Sequence, residues 1–256
     1  MSRSHRGACR TFGFPAIAIA GIVFLAPSPV TAKSRPKPPQ ITREFALASC
    51  GALATSTADG ARNRFFPLQV GRVWELSNQQ CVQAGRCDEL EEVRITVLDE
   101  METVDGVLTR VVEEREWVDG ALEEVSRNFY AECVGTEDVY YFGEEVQDGE
   151  GNALPDGWRA GENGARPGII FPGGAFLLGA RYFQELAPRT AMDWALNAQM
   201  GLQRTVPAGT FSDCVLVLDY NPLSDPKGKH PDSKIYCPGT GLIVDETLRL
   251  NSLTLP

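Results

Sequence analysis

Histidine is almost absent from this chain. Only two of its 256 residues are histidine, His5 and His230, and His5 lies in an N-terminal stretch read below as a leader. Catalysis by a serine or cysteine nucleophile needs a base and a group to orient it. One histidine in the polar loop Lys227-Gly228-Lys229-His230-Pro231-Asp232 reads as an exposed loop residue. There is no Gly-x-Ser-x-Gly, and Gly149, Gly151, Gly157 and Gly161 fit neither a Walker nor a dinucleotide-binding pattern. No Cys-x-x-Cys pair exists, which argues against zinc. Basic residues are also few, 24 against 34 acids. That balance disfavours binding along nucleic-acid phosphates, which needs clustered Lys and Arg, and disfavours anionic membrane surfaces. No cofactor is expected.

What the chain does have begins with an export pattern. Arg3, Arg6 and Arg10 form a basic start, Phe12 to Ala26 a short apolar run, and Val30-Thr31-Ala32 a small-residue cleavage site. The apolar run is shorter than the roughly 20 residues that span a bilayer. Residues 1–32 therefore read as a signal peptide. They carry three arginines and no acid, so the remaining chain is more acidic still. Leu47-Ala48-Ser49-Cys50 has the letters of a bacterial lipobox, but it stands more than twenty residues beyond the apolar run. The protein is expected in the periplasm or outside the cell, with no membrane span after the leader.

Beyond the leader six cysteines remain: Cys50, Cys81, Cys87, Cys133, Cys214 and Cys237. An even number after export suits disulfides. Cys81–Cys87 closes a short polar loop. Cys214–Cys237 joins the arms of a hairpin through 221–232, about three residues out of register. Cys50–Cys133 follows by elimination.

Residues 33–62 read as a flexible leader, first Pro-rich and then Ala/Thr/Ser/Gly-rich. Residues 63–256 read as a single β domain. Short β-branched and aromatic runs alternate with turn signals there. The candidate strands are 70–76, 90–98, 107–118, 121–133, 139–146, 168–171, 178–186, 194–206, 211–220, 233–237 and 242–250. Asp105-Gly106 and Asp119-Gly120 predict two-residue hairpins. The second places Trp117 opposite Leu122, Arg115 opposite Glu124 and Glu116 opposite Glu123. Val125, Phe129, Ala131 and Cys133 share one face, taken as the core side. In 188–200, Ala191, Trp194, Ala195 and Ala198 recur at helical spacing, so helix and strand both stay open. The fold class is all-β, with one short helix at most: an antiparallel meander forming a curved sheet, half-barrel or barrel.

Several phrases, in order, resemble an uncharacterised family of secreted bacterial β-rich proteins. They are Asn63-Arg64-Phe65-Phe66-Pro67-Leu68, Val139-Tyr140-Tyr141-Phe142-Gly143-Glu144, Trp158-Arg159-Ala160-Gly161, Gly164-Ala165-Arg166-Pro167-Gly168, Gly179 to Glu185, Val206-Pro207-Ala208-Gly209-Thr210-Phe211 and Pro238-Gly239-Thr240-Gly241-Leu242-Ile243. The family's last phrase usually has alanine where this chain has Cys237, a departure that supports a disulfide. In shape, the strand order is similar to LolA-like or lipocalin-like curved sheets. The resemblance carries over no catalytic residue.

Chemistry-bearing candidates are then few. The run Glu113, Glu114, Glu116, Glu123, Glu124, Glu144 and Glu145 falls mostly where alternation predicts a solvated face. Glu144 stands out because it follows an aromatic run and a glycine. Asp148-x-Glu150-x-Asn152 spaces oxygens as a calcium loop does, but Ala153 and Arg159 occupy the positions where an EF-hand needs Gly and Glu. Trp74, Trp117, Tyr140, Tyr141, Phe142, Trp158, Tyr182, Phe183 and Trp194 either fill a core or line a cavity. The expected function is non-catalytic binding of a small apolar or amphipathic ligand, with Tyr141, Glu144, Trp158 and Arg181 at the pocket or its mouth. The alternatives are an envelope protein-interaction module and a carboxylate-dependent hydrolase. N-terminal sequencing of the exported protein is expected to begin at Lys33. A start elsewhere, or a diacylglycerol adduct on Cys50, overturns the leader reading.

Overall fold

The computed structural model describes residues 40–256. The signal-peptide segment and residues 33–39 lie outside the described residues. The strands are β1 (Leu53–Ala54), β2 (Val73–Ser77), β3 (Glu91–Val104), β4 (Val107–Val118), β5 (Ala121–Cys133), β6 (Val139–Asp148), β7 (Trp158–Arg159) and β8 (Arg166–Phe171). They continue as β9 (Arg181–Phe183), β10 (Glu185–Leu186), β11 (Trp194–Val206), β12 (Gly209–Tyr220), β13 (Asp232–Cys237), β14 (Gly241–Asp245) and β15 (Leu248–Thr254). Two short helices are present among the described residues, α1 (Leu47–Cys50) and α2 (Gln79–Gln83). The protein is all-β, as the alternating pattern implies.

Local chemistry sets the hairpins. Asp105 and Gly106 take φ of 50° and 75°, and Asp119 and Gly120 take 49° and 82°. Positive φ at both central positions matches the right-handed twist of the strands. Trp117 stands opposite Leu122, as expected. Further along, the expected pairing fails. A register shift leaves Glu123 unpaired, so Glu116 faces Glu124 and Arg115 faces Val125. The bulge keeps Glu123 exposed and turns Glu124 to the side of Glu116. The open segment 188–200 is a turn up to residue 190 and strand from Trp194 onward. β11 is paired to β12 on one side and to β9 on the other. Ala195 and Asn197 are buried while Trp194, Leu196 and Ala198 are half-buried, a period of two. The expected single strand 242–250 is two, β14 and β15, joined by a tight turn in which Glu246 takes a φ of 47°. Glutamate is a poor turn signal, so the break left no mark in the sequence.

The ladder runs β10-β8-β6-β5-β4-β3-β2-β15-β14-β13-β12-β11-β9, all antiparallel, with β1 added to β5 and β7 to β6. Its two ends are neighbours in the chain. β9 and β10 are one stretch interrupted only at Gln184. Arg181–Phe183 pairs with β11, and Glu185–Leu186 pairs with β8. Thus the same six residues join the last strand to the first and close the sheet. Gly168 makes this seam possible: a Cβ there would fall inside contact distance of the Phe183 and Gln184 carbonyls.

Side chains that meet across the barrel identify its inner face. Phe171 on β8 and Tyr236 on β13 lie far apart along the ladder, yet their ring centroids are 4.9 Å apart. In register with these run Tyr130, Asn128 and Ser126 on β5. The expected core face of β5 is therefore the outer one. Phe129, Ala131 and Cys133 are still fully buried. Arg159 lies over Phe129 at 4.8 Å, and Cys50 bonds Cys133. Residues 128–133 are buried on both faces.

That outer cover corrects the expected leader boundary. Residues 40–62 are packed. Phe45 meets Tyr140 at 4.6 Å, β1 pairs with β5, and Cys50, Ala54 and Ala61 are buried. The chain then turns into the barrel end that carries the 105–106, 134–138 and 238–240 turns. The Glu132 carboxylate accepts the backbone N–H groups of Arg62 (2.5 Å) and Asn63 (2.9 Å). Asn63 donates to the Glu137 carbonyl, and Gly239 N–H to that of Arg64. Phe65 packs on Phe171 and Phe66 on Tyr130, with Leu68 1% exposed. This end is a filled floor.

The three disulfides are Cys50–Cys133, Cys81–Cys87 and Cys214–Cys237, with Cα separations of 5.3, 5.3 and 4.1 Å. Cys214 and Cys237 directly continue the pairing of Val215 with Tyr236, so the three-residue offset and the bulge expected for it are absent. Gly168→Ala is expected to cost about 1–3 kcal/mol of stability through overpacking at the seam. Urea unfolding checks it, and a loss below about 0.5 kcal/mol would show that the seam yields freely.

Candidate functional site

The barrel end opposite the floor carries the 119–120, 149–157, 187–193, 221–231 and 246–247 connections. Strand alternation decides which acids point inward there. On β4, Glu114 and Glu116 share the inner face with Trp74, Ile95, Leu76 and Val93 of the neighbouring strands, by direct register. β5 adds Glu124, and β6 adds Glu144 opposite Asn128. From the other side come Glu185 on β10, Asp193 just before β11, Asp219 on β12 and Asp245 on β14. Glu114 is raised by Asp245, and Glu185 by Glu144. β3, β2 and β15 separate β4 from β14, so the first pair acts across the interior, whereas only β8 stands between Glu185 on β10 and Glu144 on β6.

The two faces of the wall treat acids differently. Outward acids have arginine partners on their own strand or one nearby. Glu75 pairs with Arg94 at 2.7 Å, Glu113 with Arg115 at 2.6 Å, Glu100 with Arg127 at 2.6 Å and Glu145 with Arg159 at 2.5 Å. Inside, among the described residues, the basic partner is Lys234 on β13. Its Nζ lies 3.4 Å from Asp219 and 3.5 Å from Asp245. These three side chains keep 21%, 10% and 25% accessibility, so solvent reaches them inside the barrel. The interior is a cup, with an aromatic floor and an acidic, wet mouth.

Burial outweighs every other influence on these acids, and mutual repulsion adds to it. It pushes the Glu114 carboxyl up to about 8, with Glu116 and Asp245 adding to the rise. Glu124 rises to about 7 by burial and the nearby Glu116, and Asp193 to about 6 by burial and the nearby Asp219. Glu144 and Glu185 are raised in the same way. Burial alone would depress the Lys234 ammonium, but Asp245 and Asp219 outweigh it and hold it well above the usual lysine value. At the floor, burial also lifts Glu132 to about 7, opposed by its two backbone donors.

Three of the four expected pocket residues come together. Tyr141 and Trp158 meet edge to face at 5.3 Å, and Glu144 stands opposite Trp158. Tyr141 is 2% exposed and donates from Oη to Asn128 Oδ1 at 2.6 Å. Glu144 and Trp158 line a cleft of about 310 Å³ with Val146, Gly157, Arg159, Ala187 and Thr190. The Trp158 indole N–H is buried without a hydrogen-bond partner. Arg181 does not join them. It alternates with inward Tyr182, and its backbone N–H and carbonyl are bonded to Thr42. Of the acids read as solvated, Glu113, Glu123 and Glu145 are outward, but Glu114, Glu116 and Glu124 are not; Glu144, singled out as a site residue, is inward as well. Lys234, Asp193, Asp219 and Asp245 went unrecognised, because an isolated charge at a strand end looks the same whichever face it takes. The Asp148 carboxylate serves its own turn, accepting from the Glu150 and Asn152 backbone N–H groups.

No protein-family model matches the chain, and no curated protein sequence matches it. Among solved structures, one described as a "putative lipoprotein" from Parabacteroides distasonis is similar over 75% of this chain and 99% of its own, at 14% identity and a TM-score of 0.31. A likeness of that degree carries no argument about fold or function.

Acids raised on folding bind protons more tightly in the native state, so stability falls as pH rises from the unfolded value through the folded one. For Glu114, Glu124 and Glu132 that window runs from about pH 4.5 to 8. The thermal midpoint is expected to drop between pH 5 and pH 8. Lys234→Met should deepen the drop, costing up to about 3 kcal/mol at pH 8 by leaving Asp219 without its counter-charge. Scanning fluorimetry across this range checks both, and a midpoint that rises with pH contradicts the acidic mouth.

Proposed function

We propose that this protein is an exported, non-catalytic β-barrel that holds a small apolar or amphipathic ligand in the open half of its interior. The observation that supports it most is the contrast between the two ends. One end is filled by Phe65, Phe66 and Leu68, while at the other Lys234, Asp219 and Asp245 keep solvent access and a cleft opens through the wall between inward Glu144 and Trp158 and outward Glu145 and Arg159. A filled core would have no reason to leave the Trp158 N–H unpartnered, since an orphaned buried donor costs about 1–3 kcal/mol. Apolar ligand surface laid on the rings gains about 25 cal/mol per Å² of burial, and a ligand that also carries an acceptor would satisfy the Trp158 N–H. The three disulfides and the N-terminal leader pattern support export to an oxidising compartment.

A second reading, a carboxylate-dependent hydrolase, draws on Glu144 and Glu185, which are both raised by burial and repel one another. Retaining or inverting hydrolysis uses one protonated and one ionised carboxyl. Turnover of aryl glycosides or esters that disappears in Glu144→Gln would favour it. For the first reading, native mass spectrometry of protein purified from its own envelope is expected to show a retained small molecule. Recovery of the bare chain alone, together with no binding of any small probe, counts against it.

A further inference from the structure

The mouth has a chemical preference that the binding reading alone does not specify. Its inner wall carries acids on both sides of the lumen, and Lys234 is already held between Asp219 and Asp245. Two carboxylate oxygens in this mouth, Asp193 Oδ1 and Asp219 Oδ1, are buried with no hydrogen-bond partner. Asp219 is 7% exposed, and its other oxygen meets Lys234, so Oδ1 lies in the same mouth. Acceptors without donors ask for N–H groups, and carboxyls raised by burial and mutual repulsion ionise more readily when a cation enters among them. A neutral donor would leave the acids repelling one another. A bare metal ion fits less well: among the described residues no group of three or more possible ligands is gathered closely enough to hold one. Buried aromatic rings lie next to these acids: Tyr130 and Tyr141 are 4.8 Å apart at a tilt of 30°, and Tyr141 abuts Trp158. Ring faces attract cations and accept alkyl chains.

We propose that the barrel mouth binds an organic cation bearing N–H donors, a primary ammonium or guanidinium on an apolar body, with its head among Glu144, Glu185, Asp193 and Asp219 and its body against Tyr141 and Trp158. The proposal rests on the reading of the barrel as a ligand cup. Electrostatics then set both affinity and approach, since an acidic opening with low-dielectric walls draws cations in.

The test is isothermal titration of the purified exported protein with four probes of one chain length: octylammonium, octyltrimethylammonium, octanol and octanoate. Octylammonium is expected to bind at least tenfold more tightly than the other three. Glu185→Gln and Asp219→Asn should each lower its affinity several-fold while leaving that for octanol unchanged. The retained octanol binding shows that the variants are folded. Glu113→Gln, on the outer wall, should change neither. Equal binding of octanol and octylammonium overturns the cation proposal and leaves the ligand cup standing. Equal binding of octyltrimethylammonium overturns the need for N–H donors. No binding of any probe overturns the cation proposal and the cup together. Calcium chloride that displaces octylammonium at equimolar concentration overturns the organic cation in favour of a metal.

Discussion

Everything in this molecule depends on the seam at Arg181–Leu186. A sheet of this length would otherwise end in two open edges, each a row of unpaired backbone groups. Here one stretch pairs with β11 through its first half and β8 through its second, changing partner at Gln184. Closure turns the two faces of the sheet into an outside and an inside. From that point strand alternation sorts the charges. The pairs Glu75–Arg94 and Glu113–Arg115 can be strong or weak without consequence, since exposed ion pairs contribute little. Charges one residue along are enclosed and matter far more.

The interior is divided unequally. At the floor, a single buried carboxylate, Glu132, gathers the 62–63 backbone and so brings Phe65 and Phe66 onto Phe171 and Tyr130. The Cys50–Cys133 bond ties the preceding segment to the same strand, one residue further on. Such a tie closes a loop of 83 positions and restricts the unfolded chain most where the loop is long. At the mouth there is no equivalent satisfaction. Burial raises the acids, Lys234 offsets two of them, and carboxylate oxygens stay orphaned. A core selected for stability alone would not keep these costs.

The outer shell explains why hydrophobicity misleads here. β5 is buried on both faces beyond residue 128 because residues 40–62 and the 159–165 loop cover it from outside. Phe129 is packed beneath Arg159, away from the lumen, while Asn128 and Tyr130 face in. In an open sheet the apolar face is the core face. In a small barrel wrapped by its own N-terminal segment, apolar residues stand on both sides, and the polar ones mark the interior.

Some of this was decided by residues close in sequence. Asp-Gly at 105–106 and 119–120 makes hairpins because those residues tolerate positive φ, and alternating runs of β-branched residues make antiparallel strands. All-β class and the Cys81–Cys87 pair follow from such local signals, whereas Cys214–Cys237 needed a long hairpin and Cys50–Cys133 was left by elimination. The sequence could not show which face of each strand turns inward. A one-residue bulge, as at Glu123, reverses every side chain beyond it, and bulges leave no compositional trace. It could not show that 40–62 is packed, since small residues under a cover look like those of a linker. Nor could it join Glu114 to Asp245 or Lys234 to Asp219, which meet only because Gln184 lets one short stretch change partners and close the sheet around them.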